Sequence, residues 1–296
     1  MSWIAIVNGF GLTLGDSIIG LQALHAANAR DAFGRARAIT FRLQPERSAA
    51  IGDLYMLAPQ LAEIHPQPYH DIGLGEPERL IDIRDFAFDP SFRGVAMIDF
   101  FLGKLGLDPA AVPGALKRNV WLKPVVRYLP RSDLPPRYVL VCPHAAMALR
   151  EMPDAAHETI LCHLLAAQAL PVLTQGVVPE NLSGQAVAVP QARSLGELCA
   201  LVAGAALIVS TDTAMVHLAD AFDIPCVAVF TTHRPEWRVR DYPLCRPLHR
   251  AADLPPALEF ARELHDVVVA QNAWGPASDW LKAAIDNAIV EFGLPR

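Results

Sequence analysis

The residue types best suited to chemistry are concentrated in one turn, Ser210-Thr211-Asp212-Thr213, between a buried-strand pattern and a helical pattern. Such a turn places hydroxyls and free backbone N–H groups at a helix N-terminus, which is an arrangement that binds anions such as the phosphates of a nucleotide. A simpler interpretation is that Asp212 only caps the helix. His217, one turn further on, is open to a similar alternative as a core histidine.

A second candidate lies near the amino end, in the segment 8–19, Asn-Gly-Phe-Gly-Leu-Thr-Leu-Gly-Asp-Ser-Ile-Ile. Its acidic residue, Asp16, opens a predicted helix, and a carboxylate at a helix N-terminus is readily ionised. The alternative is again a helix cap. The glycines predict a flexible loop whose backbone other groups can approach closely, but their spacing is not that of the G-x-G-x-x-G dinucleotide fingerprint.

Both candidates follow predicted strands. Along the whole chain, apolar runs alternate with helical patterns. This alternation indicates βα units and mainly parallel sheets. Three prolines between Val125 and Arg137 predict a linker, so we expect two α/β domains. The predicted strands are Trp3–Asn8, 37–43, 79–84, Tyr138–Cys142, Pro171–Thr174, Ala186–Val189, Leu207–Ser210 and Cys226–Phe230, and the predicted helices are Asp16–Asn28, Gly94–Leu105, Asp154–Ala169, Ser194–Ala203, Thr213–Phe222 and Ala277–Phe292.

Composition excludes several classes of protein. The chain has 296 residues, of which 52% are hydrophobic and 19% charged, so long disordered tracts are not expected. The first 135 residues are neutral and the formal net charge of −6 lies in the remainder, which argues against nucleic-acid binding. The amino end lacks the basic region of a signal peptide, and no apolar run is long enough for a transmembrane helix. The 5 cysteines form no Cys-x-x-Cys pair, so we expect neither a metal site nor a disulfide framework.

The run Asp-Thr-Ala-x-x-His-Leu-Ala that begins at Asp212 resembles the pyrophosphate-binding signature of glycosyltransferase family 9, the heptosyltransferase-like group with the GT-B fold. The continuation Thr231–Pro243, with the run Pro-Glu-Trp-Arg at 235–238, is similar to a loop of that family, and Ala214 stands where many members have glycine. The resemblance implies a GT-B fold of two Rossmann-like domains facing a central cleft. The acceptor domain would comprise residues 1–130 and the donor domain 131–275, with a helix in 276–296 packing back toward the first domain.

The resemblance also implies roles for individual residues. Asp16 would be the catalytic base. Arg150 stands in the place of a lysine that neutralises the charge of the diphosphate. The motif at 150–153 is degraded, however, and the alternative is that Arg150 is an ordinary surface arginine. Glu180 would meet the ribose, and His144 would contact phosphate or acceptor, or cap its own turn. Donor binding is further expected from Ser210, Thr211, Asp212, Thr213, Ala214, Met215 and His217, and loops near the active site from Gly15, Ser17, Pro235 and Arg238.

The function implied is inverting transfer of a sugar, heptose or similar, from an ADP-linked donor to a cell-surface glycan or glycolipid such as lipopolysaccharide core. No metal or other cofactor is expected, since no Asp-x-Asp motif is present. A bacterial, cytoplasmic protein with at most peripheral membrane association fits this function, and the sequence leaves the oligomeric state open. Two alternatives remain: a nucleotide-sugar-binding module without transfer activity, and a nucleotide-sugar epimerase using His217 and Glu236.

Overall fold

The computed structural model divides into two compact units, the first formed by Met1–Arg127 with Arg193–Gly196 and the second by Tyr128–Ala192 with Glu197–Arg296. No helix in the described part of the chain is long and apolar enough to cross a membrane. The structure describes residues 3–7, 10–11, 13–33, 37–42, 49–58, 63–66, 73, 75–83, 85–92, 94–128, 133–256, 258–275 and 279–296.

The first unit is an α/β layer built on a short parallel sheet. Its strands are β1 (Trp3–Val7), β2 (Arg37–Arg42), β3 (Glu63–Pro66) and β4 (Arg79–Asp82), and its helices are α1 (Leu14–Ala29), α2 (Ala49–Met56) and α3 (Met97–Lys104). The strand order is β3-β2-β1-β4, with every pair parallel. The central strand β1 is buried along its length, as expected when helices cover a parallel sheet.

Helix α1 follows β1 through a tight loop that is fixed by local packing. The helix begins after Thr13, whose hydroxyl accepts a hydrogen bond from the amide of Asp16 at 3.2 Å. Phe10 precedes this cap with a left-handed φ of 65° and is fully buried against the helix. A Cβ added at Gly20 would lie 2.1 Å from Cβ of Phe10, so only a residue without a side chain fits at this position of the helix.

Replacing Gly20 by alanine is therefore expected to destabilise the first unit by about 1–3 kcal/mol, the range for overpacking a core. Gly103→Ala on α3 is the matched control, because a Cβ there meets nothing within 4 Å. The control is expected to gain roughly 0.5–1 kcal/mol from helix propensity. Urea unfolding of both variants measures the difference, and equal effects would show that Phe10 does not pack against Gly20 as described.

The second unit is larger and carries a six-stranded sheet. Its strands are β5 (Tyr138–Cys142), β6 (Val172–Thr174), β7 (Ala186–Ala188), β8 (Ala205–Thr211), β9 (Cys226–Phe230) and β10 (Cys245–His249). Its helices are α4 (Asp154–Ala167), α5 (Leu195–Ala203, apart from its first two residues), α6 (Ala214–Phe222), α7 (Leu264–Asn272) and α8 (Asp279–Glu291).

The order of this sheet, β10-β9-β8-β5-β6-β7, places the most deeply buried strands side by side. Strands β5, β8 and β9 are parallel neighbours and buried along their length. The turns that follow them consequently lie together at one edge of the sheet, which is where ligands bind in open α/β folds. The predicted bounds of β5 and β9 coincide with the observed ones, and the predicted α/β class with mainly parallel sheets is confirmed.

Helix α8 packs within the second unit. Its apolar side chains Leu281, Ile285 and Ile289 belong to the core of the second unit. The helix contacts α4 and β9. Because its apolar residues recur at spacings of four, they form one stripe, and burial of that stripe fixes the helix on its own unit.

Candidate donor site

The structure assigns the cap of α6 to Thr213. The Thr213 hydroxyl accepts a hydrogen bond from the amide of Met215 at 3.3 Å. Asp212, for which capping was the alternative, is 2% exposed, and its carboxylate forms buried ion pairs instead. The Asp212 side chain thus contacts Arg150 and His233, and the neighbouring Thr213 caps the helix.

The hydroxyls of Ser210 and Thr211 connect neighbouring turns. The Thr211 hydroxyl lies 2.5 Å from the carbonyl oxygen of Arg150, and the Ser210 hydroxyl lies 3.2 Å from the hydroxyl of Thr213. Both residues are fully buried. For these hydroxyls to contact a donor as predicted, they would have to break their present hydrogen bonds.

The accessible part of this helix terminus is short. Thr213 and Ala214 are half-buried, whereas Met215 and His217 are buried. The first backbone N–H groups of a helix have no partner within the helix and attract negative charge. Thr213 and Ala214 therefore form the edge at which an anion could reach α6.

A buried cluster of charged side chains lies beside this edge. Oδ2 of Asp212 is 3.5 Å from Nη1 of Arg150 and 3.2 Å from Nδ1 of His233. The other ring nitrogen of His233 is 3.0 Å from Oε1 of Glu259, which also accepts a 2.8 Å hydrogen bond from Arg238. We call these five residues the charge cluster.

The charges in the cluster control the ionisation of its two acids. Burial would raise the pKa of Asp212, but Arg150 and His233 outweigh it and hold that pKa well below its usual range. Burial acts on Glu259 in the same direction, and the hydrogen bond and charge of His233, with Arg238, hold its pKa at about 2. Both carboxylates are consequently ionised at neutral pH, as their pairing with cations requires.

His217 matches the core-histidine interpretation. Its Nδ1 is 2.8 Å from the hydroxyl of Tyr242, and the two rings meet edge to face. Burial lowers the pKa of His217 to about 4, so the ring is neutral at pH 7. It can orient Tyr242 or offer a neutral donor, but it does not supply positive charge.

Two predicted donor contacts lie on the surface. His144 is exposed, and its Nδ1 is 2.6 Å from Oε1 of Glu151, whose Oε2 accepts a hydrogen bond from the amide of Ala145. This geometry is that of the turn-capping alternative. Glu180 is exposed at the start of a short 3₁₀ turn, Glu180–Leu182. Neither residue is among the described contacts of the charge cluster.

In the first unit, the described part of the Gly-Asp segment forms a close-packed helix start. Asp16 lies in the first turn of α1, between Gly15 and Ser17, both of which are buried. Gly11 has a φ of 94°, and a Cβ there would lie 3.1 Å from Oδ2 of Asp16. Gly11 therefore allows the backbone to approach the carboxylate closely. The predicted loop residues Asn8, Gly9 and Leu12 lie outside the described residues.

Sequence reasoning named three members of the charge cluster and missed two. Arg150, Asp212 and Arg238 were predicted near the donor, with the buried Pro235 at the turn that carries Arg238. His233 and Glu259 were not predicted. His233 follows β9 as Asp212 follows β8, and the ends of adjacent parallel strands could have indicated it. Glu259 lies 47 residues beyond Asp212 in a segment without a recognisable motif.

Comparison with known proteins finds a match to one protein family. Residues 152–244, which include α6 and the Pro235–Trp237 turn, match the model of glycosyltransferase family 9 (heptosyltransferase). The resemblance to glycosyltransferase family 9 is confirmed for this segment. A comparison with curated proteins finds no match.

Solved structures that resemble the chain include family 9 and related enzymes. ADP-heptose lps heptosyltransferase II of E. coli is 13% identical, with a TM-score of 0.58, over 98% of this chain and 99% of that one. The iron-containing dodecameric glycosyltransferase TibC of enterotoxigenic E. coli H10407 is 16% identical, with a TM-score of 0.61, over 99% and 77%. The glycosyl transferase family 9 structure from Veillonella parvula is 12% identical, with a TM-score of 0.56, over 84% and 86%. These similarities show that the fold is that of GT-B glycosyltransferases.

Proposed function

We propose that this protein is a glycosyltransferase that moves a sugar, heptose or a close relative, from a nucleoside-diphosphate donor to a glycan or glycolipid acceptor. The observation that carries the proposal is the accessible N-terminus of α6, within the family 9 segment and beside the charge cluster. An ADP-linked donor is supported by the similar structure of TibC in complex with ADP-D-beta-D-heptose, at 14% identity and a TM-score of 0.60.

The proposed reaction is a single displacement with inversion at the anomeric carbon. Asp16 accepts the proton of the acceptor hydroxyl as its oxygen forms a bond to that carbon. The bond from the anomeric carbon to the diphosphate oxygen breaks, and the nucleoside diphosphate departs with the electron pair. Backbone N–H groups at Thr213 and Ala214 and the guanidinium of Arg150 stabilise the departing charge.

This electrostatic arrangement would perform the task that a divalent metal performs in other transferases, so we propose transfer without a metal cofactor. An acceptor in the class of lipopolysaccharide core, and a cytoplasmic location that includes the inner face of the membrane, belong to the same proposal. They rest on the family resemblance and on the printed function of the E. coli heptosyltransferase II.

Release of ADP from ADP-heptose in the presence of bacterial glycolipid extracts tests the proposal. We expect release that depends on the extract, is unchanged by EDTA, and gives a product with the anomeric configuration opposite to that of the donor. Retained configuration or loss of activity in EDTA would contradict the inverting, metal-independent mechanism. The control omits the extract.

A second candidate function is a nucleotide-sugar-binding module without transfer activity. The degraded motif at 150–153, with Met152 where the family that the chain resembles has tryptophan, favours it. The same assay separates the two functions, since a module binds the donor but releases no ADP with any extract. The epimerase alternative gains no support from the described contacts, because His217 is hydrogen-bonded to Tyr242 and Glu236 is exposed.

A further inference from the structure

His233 is buried between two carboxylates at the carboxyl edge of the second sheet. We propose that His233 and Glu259 are positioning residues of the donor site, which keep the positive charge of Arg150 available to the departing diphosphate. The inference rests on the proposed function and assigns roles to two residues for which the resemblance implied none.

The first step of the argument is competition for one oxygen atom. Arg150 and His233 both face Oδ2 of Asp212, at 3.5 Å and 3.2 Å. A carboxylate oxygen that is shared between two neighbours interacts less fully with each of them than in a direct two-point pair with one guanidinium. His233 therefore draws Asp212 away from complete neutralisation of Arg150.

The second step is the anchoring of the His233 ring. The ring is 1% exposed, and its Nε2 faces Oε1 of Glu259 at 3.0 Å, while the Thr232 hydroxyl lies 3.2 Å from its Nδ1. Arg238 holds Glu259 from the other side at 2.8 Å. The imidazole is thus packed between Asp212 and Glu259 before any donor binds, and such preorganisation reduces reorganisation during the reaction.

The third step is that the backbone around Arg150 is held independently of this cluster. The Thr211 hydroxyl bonds to the carbonyl of Arg150, and the Thr231 hydroxyl donates to the carbonyl of Leu149 at 2.9 Å. The Arg150 side chain remains 13% exposed. Changes at His233 should thus alter the charge that Arg150 offers without displacing the turn that carries it.

Asparagine and glutamine at position 233 separate the two contacts of the ring. The amide nitrogen of Asn reaches approximately the place of Nδ1 and keeps the contact with Asp212, whereas that of Gln reaches approximately the place of Nε2 and keeps the contact with Glu259. We expect His233→Asn to retain kcat within about threefold and His233→Gln to lose roughly ten- to hundredfold, the effect of losing one contact with a charged group. The KM for ADP-heptose should change by less than about threefold in both, and their Tm values should be similar.

Glutamine at position 259 tests the second residue of the pair. Glu259→Gln keeps an acceptor for His233 but removes the charge that holds Arg238, and we expect a kcat lower by about tenfold. The exposed Glu263→Gln is the matched control and should leave kcat unchanged. Equal activity of the two His233 variants, or losses that follow Tm, would overturn the inference and leave the proposed function intact. Wild-type protein that releases no ADP from any donor would overturn both.

Discussion

Asp16→Asn is expected to lower kcat by about 10²- to 10⁴-fold, the range over which a positioned general base accelerates proton transfer. Asn has nearly the shape of Asp, and the contact that fixes the start of α1 uses the backbone amide of Asp16 rather than its carboxylate. The variant should therefore fold normally and bind donor with an unchanged KM. It lacks only a group that accepts the proton of the acceptor hydroxyl.

Asp31→Asn provides the matched control for this substitution. Asp31 is exposed beyond the other end of α1 and has a φ of 53°, a conformation that asparagine adopts as readily as aspartate. We expect this control to keep wild-type kcat. If Asp16→Asn also retained near-wild-type transfer, Asp16 would not be the base, and another group would have to take the proton.

Asp212→Asn is expected to destabilise the protein by about 3–5 kcal/mol at pH 7, the cost of removing one partner from a buried ion pair. Its carboxylate is 2% exposed and faces Arg150 and His233, so the neutral amide would remove the buried negative charge that pairs with Arg150. Asp223→Asn at the other end of α6 is the control. Asp223 is exposed with a φ of 58°, and its replacement should change the free energy of unfolding by less than about 0.5 kcal/mol.

The same cluster predicts an acid-sensitive stability. The pKa of Glu259 is about 2 in the folded protein against 4.5 for an ordinary glutamate, and that of Asp212 is also held below its usual range. A lowered folded-state pKa contributes stability that is present above the unfolded pKa and lost as pH falls toward the folded pKa. The wild-type free energy of unfolding should therefore fall as pH drops below about 4.5, and Asp212→Asn should show a shallower fall. Parallel profiles for the two proteins would contradict the assignment of Asp212 as an ionised member of the cluster.

The sequence was most informative where a strand is buried on both faces. Strands β5 and β9 are continuous apolar runs bounded by turn residues, and their limits were predicted as observed. Among the α-helices and strands of the described residues, α2, β3, α7 and the edge strand β10 were not predicted. Strand β10 contains Arg246 and Pro247 and lies at an edge, where a missing N–H is tolerated and an apolar run is not required. Helix α7 exposes Leu264 and Val268, so its apolar residues do not define one buried face.

For the candidate site, residues within short motifs were predicted, and contacts between distant segments were not. The α6 turn and Arg150 were predicted because their residue types and order are contained in short segments. The partners of Asp212 were not, since the contact that joins His233 to Glu259 depends on how distant segments fold together. The same limit applies to the cap of α6, where Asp212 and Thr213 are both good capping residues and tertiary charge pairing decides between them.

A thermal-shift panel of nucleotides tests the central claim, a donor site for an ADP-linked sugar, most directly. Ligand that binds only the folded protein raises stability by mass action, by about 2.7 kcal/mol at a concentration one hundred times its Kd. We expect ADP and ADP-heptose to raise the Tm of the wild-type protein, and UDP, GDP and their sugars to have little effect. If no nucleoside diphosphate or nucleotide sugar raised the Tm at millimolar concentration, the second unit would not hold a donor site and the account would be wrong.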